Sequence, residues 1–150
     1  YGAALPLAQR GFVLPVDVGR LKTLEPLVAE VLGPRAADPA LETWRHEFGL
    51  ALAEHITNLM RHAYARRPDG KVYGRLTRTA ADLTLETLDA GLPFDPARLP
   101  AQPPHYQSWA DLPEGGYGLP LIRAVMDELH YERRDRYNFW RMSRRLPAAL

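Results

Sequence analysis

A carboxylate and an amide stand four residues apart in the middle of the chain. Glu54 and Asn58 are followed by Arg61 and His62, so the four side chains share one stripe of a helix. A separate apolar stripe consists of Phe48, Leu52, Ile56, Leu59 and Ala63. On a helix packed against a sheet, this spacing suits a general base and an oxygen ligand for magnesium. A solvated helix face would show the same pattern.

A second carboxylate, Asp89, ends a segment in which leucines alternate with other residues. It has the same parity as Leu83 and Leu85, so its side chain is predicted to point to the buried side of a strand. Backbone N–H groups or an arginine would satisfy this carboxylate within the protein, whereas an exocyclic amine would satisfy it from a ligand. Gly91 leaves room for a flat ligand, although Asp-x-Gly after a strand is also an ordinary turn.

A glycine-rich stretch, Gly115-Gly-Tyr-Gly118, comes directly before a predicted helix. Its N–H groups and the helix dipole could cradle phosphates. No Gly-Lys-Ser/Thr follows and no strand precedes it, so neither the Walker loop nor the dinucleotide fingerprint fits. Alone, this stretch is a weak signal.

Periodicity and turn residues predict the elements that must position these side chains. Pro15 confines the first strand to a sheet edge or a bulge, and we expect an edge strand. Residues 90–118 hold six prolines without a sustained period, which indicates a lid at about 92–114. The predicted strands are 10–17, 71–78, 82–88, 129–135 and 137–145. The predicted helices are 19–32, 38 to about 66, and 119–129.

Composition sets the limits of the interpretation. The chain has 150 residues, 46% hydrophobic and 25% charged, which predicts one globular domain over 1–150. A net charge of +1 gives no field that favours nucleic acid or an anionic membrane. The absence of cysteine excludes disulfides, thiolate zinc sites and a cysteine nucleophile. No apolar run approaches the roughly 18 residues of a membrane span, so we expect a cytoplasmic protein.

Several other residues are interpreted as structural. The arginines near the C-terminus fit a solvated sheet edge or a partner surface better than nucleic acid. Trp140 and Met142 alternate on a strand and are expected in the core. Four histidines have no partner at metal-ligand spacing and are expected to be surface or satisfied residues: His46, His55, His105 and His130.

Together, the three motifs resemble in type and order those of the GHKL ATPases, the superfamily of histidine-kinase-like ATPase domains. The local strings resemble more narrowly the anti-sigma-factor serine/threonine kinases of bacteria. These strings are Glu54-His-Ile-Thr-Asn-Leu-Met-Arg-His-Ala-Tyr64, Asp89-Ala-Gly-Leu-Pro-Phe-Asp-Pro96 and Gly115-Gly-Tyr-Gly-Leu-Pro-Leu-Ile-Arg-Ala-Val-Met-Asp-Glu-Leu129. The final strand, 138–146, also matches the usual end of these kinases, so the resemblance covers nearly the whole chain.

The resemblance implies an α/β two-layer sandwich of the GHKL type. Its sheet would be mostly antiparallel, of about five strands, with three helices on one face and ATP between the helices and the lid. Glu54 would be the catalytic base and Asn58 the ligand of Mg²⁺, with Arg61 and His62 near the nucleotide.

The other two motifs would complete the ATP site. Asp89 would accept from the adenine amine and Gly91 would admit the base. Pro120, where such sequences commonly carry a bulky apolar residue, is acceptable early in a helix. Arg98 is the only cation that the lid offers. The phosphates would be held by Gly115, Gly116, Gly118 and Leu119.

The implied function is transfer of the γ-phosphate of ATP to a serine or threonine of an anti-sigma-factor antagonist. The implied partners are this antagonist, a sigma factor and a second copy of the chain, with no direct contact to nucleic acid or membrane. The alternative is a non-catalytic ATP-binding module that sequesters a sigma factor or another regulator.

Overall fold

Five antiparallel strands form a single sheet in the computed structural model, which describes residues 5–65, 67, 69–98 and 118–147. The strand order is β1-β2-β3-β5-β4, so β1 is an edge strand as Pro15 predicts. The strands are β1 (Ala8–Pro15), β2 (Lys71–Arg78), β3 (Asp82–Asp89), β4 (Glu128–Arg134) and β5 (Tyr137–Arg145).

Three α-helices pack with this sheet: α1 (Leu24–Leu32), α2 (Glu42–Asn58) and α3 (Gly118–Val125). The apolar stripe predicted for α2 is buried, with Phe48, Leu52 and Ile56 at 0% exposure. These side chains share one core with inward-facing strand residues such as Leu76 and Leu85. The α/β two-layer sandwich is therefore confirmed.

Local turns modify the two long predicted helices. Residues 18–23 form a 3-10 helix before α1, and the carboxylate of Asp17 accepts from Gly19 N at 2.9 Å to cap it. The predicted helix from 38 begins with a 3-10 turn capped by Asp38. It does not run to 66 as an α-helix, because after Asn58 it continues as a π-helix over Leu59–Ala63. A π-turn inside a helix often marks a functional site.

The prediction of a third helix to residue 129 is wrong. The helix ends at Val125, and Leu129 instead lies in β4, opposite Met142 of β5. Asp127 N donates to Ser143 O at 2.9 Å, so pairing with β5 satisfies the backbone at this point. Apolar residues continue at helical spacing beyond the helix end, which explains the error.

The outer face of the sheet carries a row of large side chains. The strand registers place Val13 opposite Tyr73, Tyr73 opposite Leu88, and Leu88 opposite Phe139. Val13 and Tyr73 are about half exposed and Leu88 is 37% exposed, whereas Phe139 is only 7% exposed and has the Arg134 guanidinium over its ring. We call these four residues the outer row.

Candidate functional site

A cavity of about 890 Å³ opens between the end of α2, the segment after β3 and the start of α3. The four polar residues that the sequence predicts on the long second helix, now divided between α2 and the π-helix, all line it: Glu54, Asn58, Arg61 and His62. We call these four residues the helix wall. Leu119 of α3 also lines the cavity, so five of the predicted site residues meet there.

Tyr64 anchors the end of the helix wall to the sheet. Its hydroxyl donates to Lys71 O and accepts from Ala90 N at 2.9 Å. Its ring occupies the space beside Gly70, where an added Cβ would lie 2.5 Å from Tyr64 Cδ1. Burial raises the pKa of Tyr64, so the hydroxyl stays protonated as this bonding requires. The π-turn therefore has a fixed end.

Asp89 is not one of the residues that line the cavity, and only 1% of its surface is exposed. Its Oδ1 accepts from Gly91 N at 3.0 Å and from Asn138 Nδ2 at 2.8 Å. Its Oδ2 is buried and has no hydrogen-bond partner within the described residues. Burial is the main cause that raises the pKa of Asp89. One half of the carboxylate is satisfied internally, and the other half still lacks a donor.

Gly91 is a glycine for a different reason from the predicted one. A Cβ here would lie 2.5 Å from Ala63 O and 2.7 Å from Ala63 Cβ. Leu92 N donates to the same carbonyl at 2.7 Å. The space is thus filled by the end of the π-helix and not by room for a ligand, and a nucleotide contact of Gly91 stays a prediction.

Asn138 is a site residue that the sequence reasoning missed. It lies opposite Asp89 in the β3–β5 register, is 1% exposed and lines the cavity. Asn138 lines the cavity itself, whereas Asp89 and Gly91, which its amide contacts, do not; we call these three residues the strand wall. The available signal was a polar residue in alternation with Trp140 and Met142 on an inward-facing strand.

A family model described as the histidine kinase-like ATPase domain matches residues 14–144. The chain belongs to this family. ATP binding is what membership of this family implies. The predicted resemblance to the histidine-kinase-like superfamily is confirmed.

Two kinds of relative resemble this ATPase domain in sequence. It is 32% identical over 94 residues to the serine/threonine-protein kinase BtrW of Bordetella bronchiseptica, covering 63% of this chain and 66% of the relative. It is 32% identical over 95 residues to an anti-sigma F factor of Clostridium novyi, covering 63% of this chain and 65% of the relative. The chain thus spans slightly less than two thirds of the curated relatives that it matches.

One crystal structure also resembles the domain in fold. It contains the RsbU and RsbW domains of a Mycobacterium tuberculosis protein, with a TM-score of 0.59 and 15% identity. The match covers 93% of this chain and 32% of that chain. At this identity the likeness concerns the fold alone.

The residues of the ATPase domain suit an ATP site. Asp89 Oδ2 is buried and receives no hydrogen bond from the described part of the chain, so it is a natural acceptor for an exocyclic amine. The helix wall supplies an amide oxygen at Asn58, the kind of ligand that Mg²⁺ takes together with phosphate oxygens. Arg61 and Arg98 both line the cavity and can oppose phosphate charge.

Buried His55 lines the cavity beside the helix wall and ties the helix to the sheet. Its Nε2 lies 2.8 Å from Thr87 Oγ1 of β3, and its ring meets Trp140 edge-on at 5.2 Å. Burial lowers the pKa of His55 to about 3, so the imidazole is neutral at neutral pH. The expectation of a satisfied histidine is confirmed here, directly beside Glu54.

Trp140 lies both in the core, as the sequence predicts, and at the cavity, which the sequence did not predict. Only 4% of its surface is exposed. Its Nε1 is buried without a partner within the described residues. Met142 lies wholly in the core.

The glycine-rich motif is described only from its last residue. Gly118 begins α3, and Pro120 is the third residue of the helix, where its missing N–H costs nothing. Gly115 and Gly116 lie outside the described residues, as does most of the predicted lid. The described start of that lid, 92–98, brings Arg98 to the cavity.

Proposed function

We propose that the chain is an ATP-dependent serine/threonine protein kinase of the anti-sigma-factor type. The observation that carries this proposal is the helix wall: Glu54 and Asn58, one helical turn apart, line the same cavity that Asn138 of the strand wall lines. A carboxylate, an amide oxygen and cations around one cavity are the groups that phosphoryl transfer requires, since it depends on positioning and charge stabilisation.

Glu54 has the role of general base in this proposal. Its carboxylate accepts the proton of the acceptor serine or threonine hydroxyl as the oxygen attacks the γ-phosphorus, and the bond from this phosphorus to the bridging oxygen breaks to release ADP. Asn58 holds Mg²⁺ through its side-chain oxygen. When bound, the metal neutralises charge on the phosphates.

The strand wall selects the base of the nucleotide. Asp89 Oδ2 accepts the adenine amine, which gives this buried oxygen its missing donor. Arg61, His62 and Arg98 line the cavity and contact phosphate oxygens, together with the N–H groups of the 115–119 segment.

The proposed partners are a sigma factor and its anti-sigma-factor antagonist, the phosphoacceptor. The names of the relatives support this choice, since two of them are anti-sigma F factors and one is a serine/threonine kinase. We further propose that 1–150 act as one domain, in the cytoplasm, without direct contact to nucleic acid. Among the described residues, no helix has the length and apolar character to span a membrane.

A second copy of the chain is the proposed partner of the outer row. Charged pairs flank this row, with Arg75 Nη2 2.6 Å from Glu86 Oε1 and Arg134 Nε 2.9 Å from Glu132 Oε1. Charges of both signs around an apolar centre allow a two-fold related copy to match unlike charges. Sedimentation should show a dimer that Tyr73→Lys dissociates, whereas Thr77→Lys on the same strand and face should leave it intact.

Incubation with radiolabelled ATP, Mg²⁺ and candidate antagonist proteins from the same genome tests the kinase function. We expect label on a serine or threonine of one antagonist. A protein that binds Mg-ATP and a sigma factor, yet labels no antagonist, would contradict the kinase proposal and favour the non-catalytic sequestering module.

A further inference from the structure

The side chain of Asn138 uses its full hydrogen-bonding capacity inside the protein. Its Nδ2 donates to Asp89 Oδ1 and to Leu92 O, both at 2.8 Å. Its Oδ1 accepts from the Tyr131 hydroxyl at 2.6 Å and from Arg133 Nη1 at 3.0 Å. An asparagine amide has two N–H donors and two lone pairs, so none remains for a ligand. Asn138 therefore lines the cavity as a positioning residue.

The partners of Asn138 fix which way its amide points. Arg133 can only donate, and an ionised Asp89 can only accept. A flipped amide would set its oxygen against the carboxylate and its NH₂ against the guanidinium. Arg133 Nη1 also donates to Gly91 O at 2.8 Å, which holds the segment after β3 against the same cluster.

This arrangement leaves Asp89 with one uncommitted oxygen in a fixed orientation. Two donors, Gly91 N and Asn138 Nδ2, hold Oδ1, so rotation of the carboxylate would break both bonds. Oδ2 is buried without a partner in the described part of the chain. A ligand N–H group placed at Oδ2 donates the hydrogen bond that this oxygen lacks. A ligand C–H group at the same place leaves Oδ2 without a hydrogen bond, and an unpaired buried acceptor costs binding free energy.

We propose that Asn138, supported by Tyr131 and Arg133, makes the pocket select a purine with an exocyclic amine by presenting a single acceptor oxygen of Asp89. This inference rests on the proposed ATP-binding function. It adds a specificity determinant on β5 and β4, outside the three motifs that the sequence shows.

The test compares ATP with purine riboside triphosphate, the same nucleotide without the 6-amine, by calorimetry. The wild-type chain should bind ATP about tenfold to hundredfold more tightly than the analogue. In Asn138→Ala, the ATP affinity should fall to within a few-fold of the analogue affinity, and the analogue affinity should stay unchanged. Ser143→Ala, a buried polar change on the same strand, should keep the wild-type preference.

The possible results separate the inference from the function beneath it. An equal loss for both nucleotides in Asn138→Ala would mean a merely structural role and would overturn the inference, as would an undiminished preference for ATP. A wild-type chain that binds both nucleotides equally would overturn the inference and leave ATP binding intact. A wild-type chain that binds neither would overturn the proposed function as well.

Tyr131→Phe provides a second variant should Asn138→Ala fail to fold. It removes one donor to Asn138 Oδ1 and the acceptor of Phe94 N, and it keeps the ring that packs on Phe94 and Trp140. The preference for ATP should fall about twofold to tenfold, the value of one hydrogen bond. An unchanged preference in folded Tyr131→Phe would contradict the supporting role of this hydroxyl.

Discussion

At the strand wall of the cavity, Asp89 and Asn138 are each 1% exposed and hydrogen-bonded to one another. On the helix wall, Glu54 and Asn58 are half-buried, and Arg61 is exposed. Hydrogen bonds and ion pairs within the described residues hold none of these three helix-wall side chains. Folding thus fixes the strand wall in place and leaves it one oxygen, Asp89 Oδ2, without a partner among the described residues, whereas the helix wall has polar groups free for ligand, metal and acceptor.

The difference assigns separate tasks to the two walls. A buried wall whose side chains are already held in place discriminates by shape and hydrogen bonding at little entropic cost on binding. The side chains of a half-exposed polar wall can reorient as charge develops during a reaction, and their electrostatic interactions are screened by salt. Variants of the strand wall should therefore alter nucleotide affinity and choice, and variants of the helix wall should alter catalysis and metal dependence.

Glu54→Gln should produce the largest effect, which should lower the rate of phosphate transfer and leave ATP binding unchanged. The amide cannot accept the hydroxyl proton, so transfer should slow by about 10²–10⁴-fold, while ATP affinity stays within about twofold because the substitution preserves shape. Single-turnover transfer of labelled phosphate and calorimetry measure the two quantities. Glu47→Gln on the same helix is the matched control, since Glu47 pairs with Arg144 away from the cavity. Unchanged transfer in Glu54→Gln would remove the base role.

Asp89→Asn changes the strand wall and should have the opposite effect to Glu54→Gln, because it should weaken the binding of ATP. The NH₂ group of the new asparagine would face the adenine amine, so two donors would oppose each other in a buried site. This mismatch should cost about 1–3 kcal/mol, or about tenfold to hundredfold in ATP affinity. Calorimetry on the folded variant measures it, with Asp69→Asn in an exposed turn as control. ATP affinity equal to that of the control would exclude Asp89 from the site.

The pH dependence of the free energy of unfolding tests the role of buried His55, which joins the helix to the sheet. Its pKa of about 3 in the folded chain lies below the ordinary value of 6.5, so between these values the unfolded chain binds the extra proton. Stability from this residue is complete above pH 6.5 and falls by about 1.4 kcal/mol per pH unit below it. Urea unfolding of His55→Gln at several pH values should show a correspondingly shallower slope from pH 6 to 4. The slope of exposed His46→Gln should match that of the wild type.

Asn58→Ala should have a smaller effect that appears only in the presence of metal. Without the amide oxygen, the contribution of Mg²⁺ to ATP affinity should shrink, so affinities with and without Mg²⁺ should converge. Titrations in Mg²⁺ and in a chelator check this, with Asn58→Asp, which retains an oxygen ligand, as the matched variant. A full Mg²⁺ effect in Asn58→Ala would place the metal ligand elsewhere.

Local patterns were enough to predict most of the architecture and the helix wall. The stripe of Glu54, Asn58, Arg61 and His62 follows from helical spacing alone, and all four residues line the cavity. The burial of Asp89 follows from strand parity. The sequence did not predict the end of α3 at Val125, because residues 127–129 leave the helix to pair with β5. Helical periodicity carries no information about such strand pairing.

The sequence by itself determined the element types, the family and the residues of one wall, because each depends on neighbours within a few positions along the chain. The tertiary structure alone decided that Asn138 faces Asp89, 49 residues away, and that Ala63 occupies the space beside Gly91. Strand order and register set these contacts, and they arise from packing the whole sheet against the helices. That Asp89 Oδ2 has no donor among residues 5–65, 67, 69–98 and 118–147 is likewise a property of the assembled fold, since it depends on where each nearby N–H and O–H group lies.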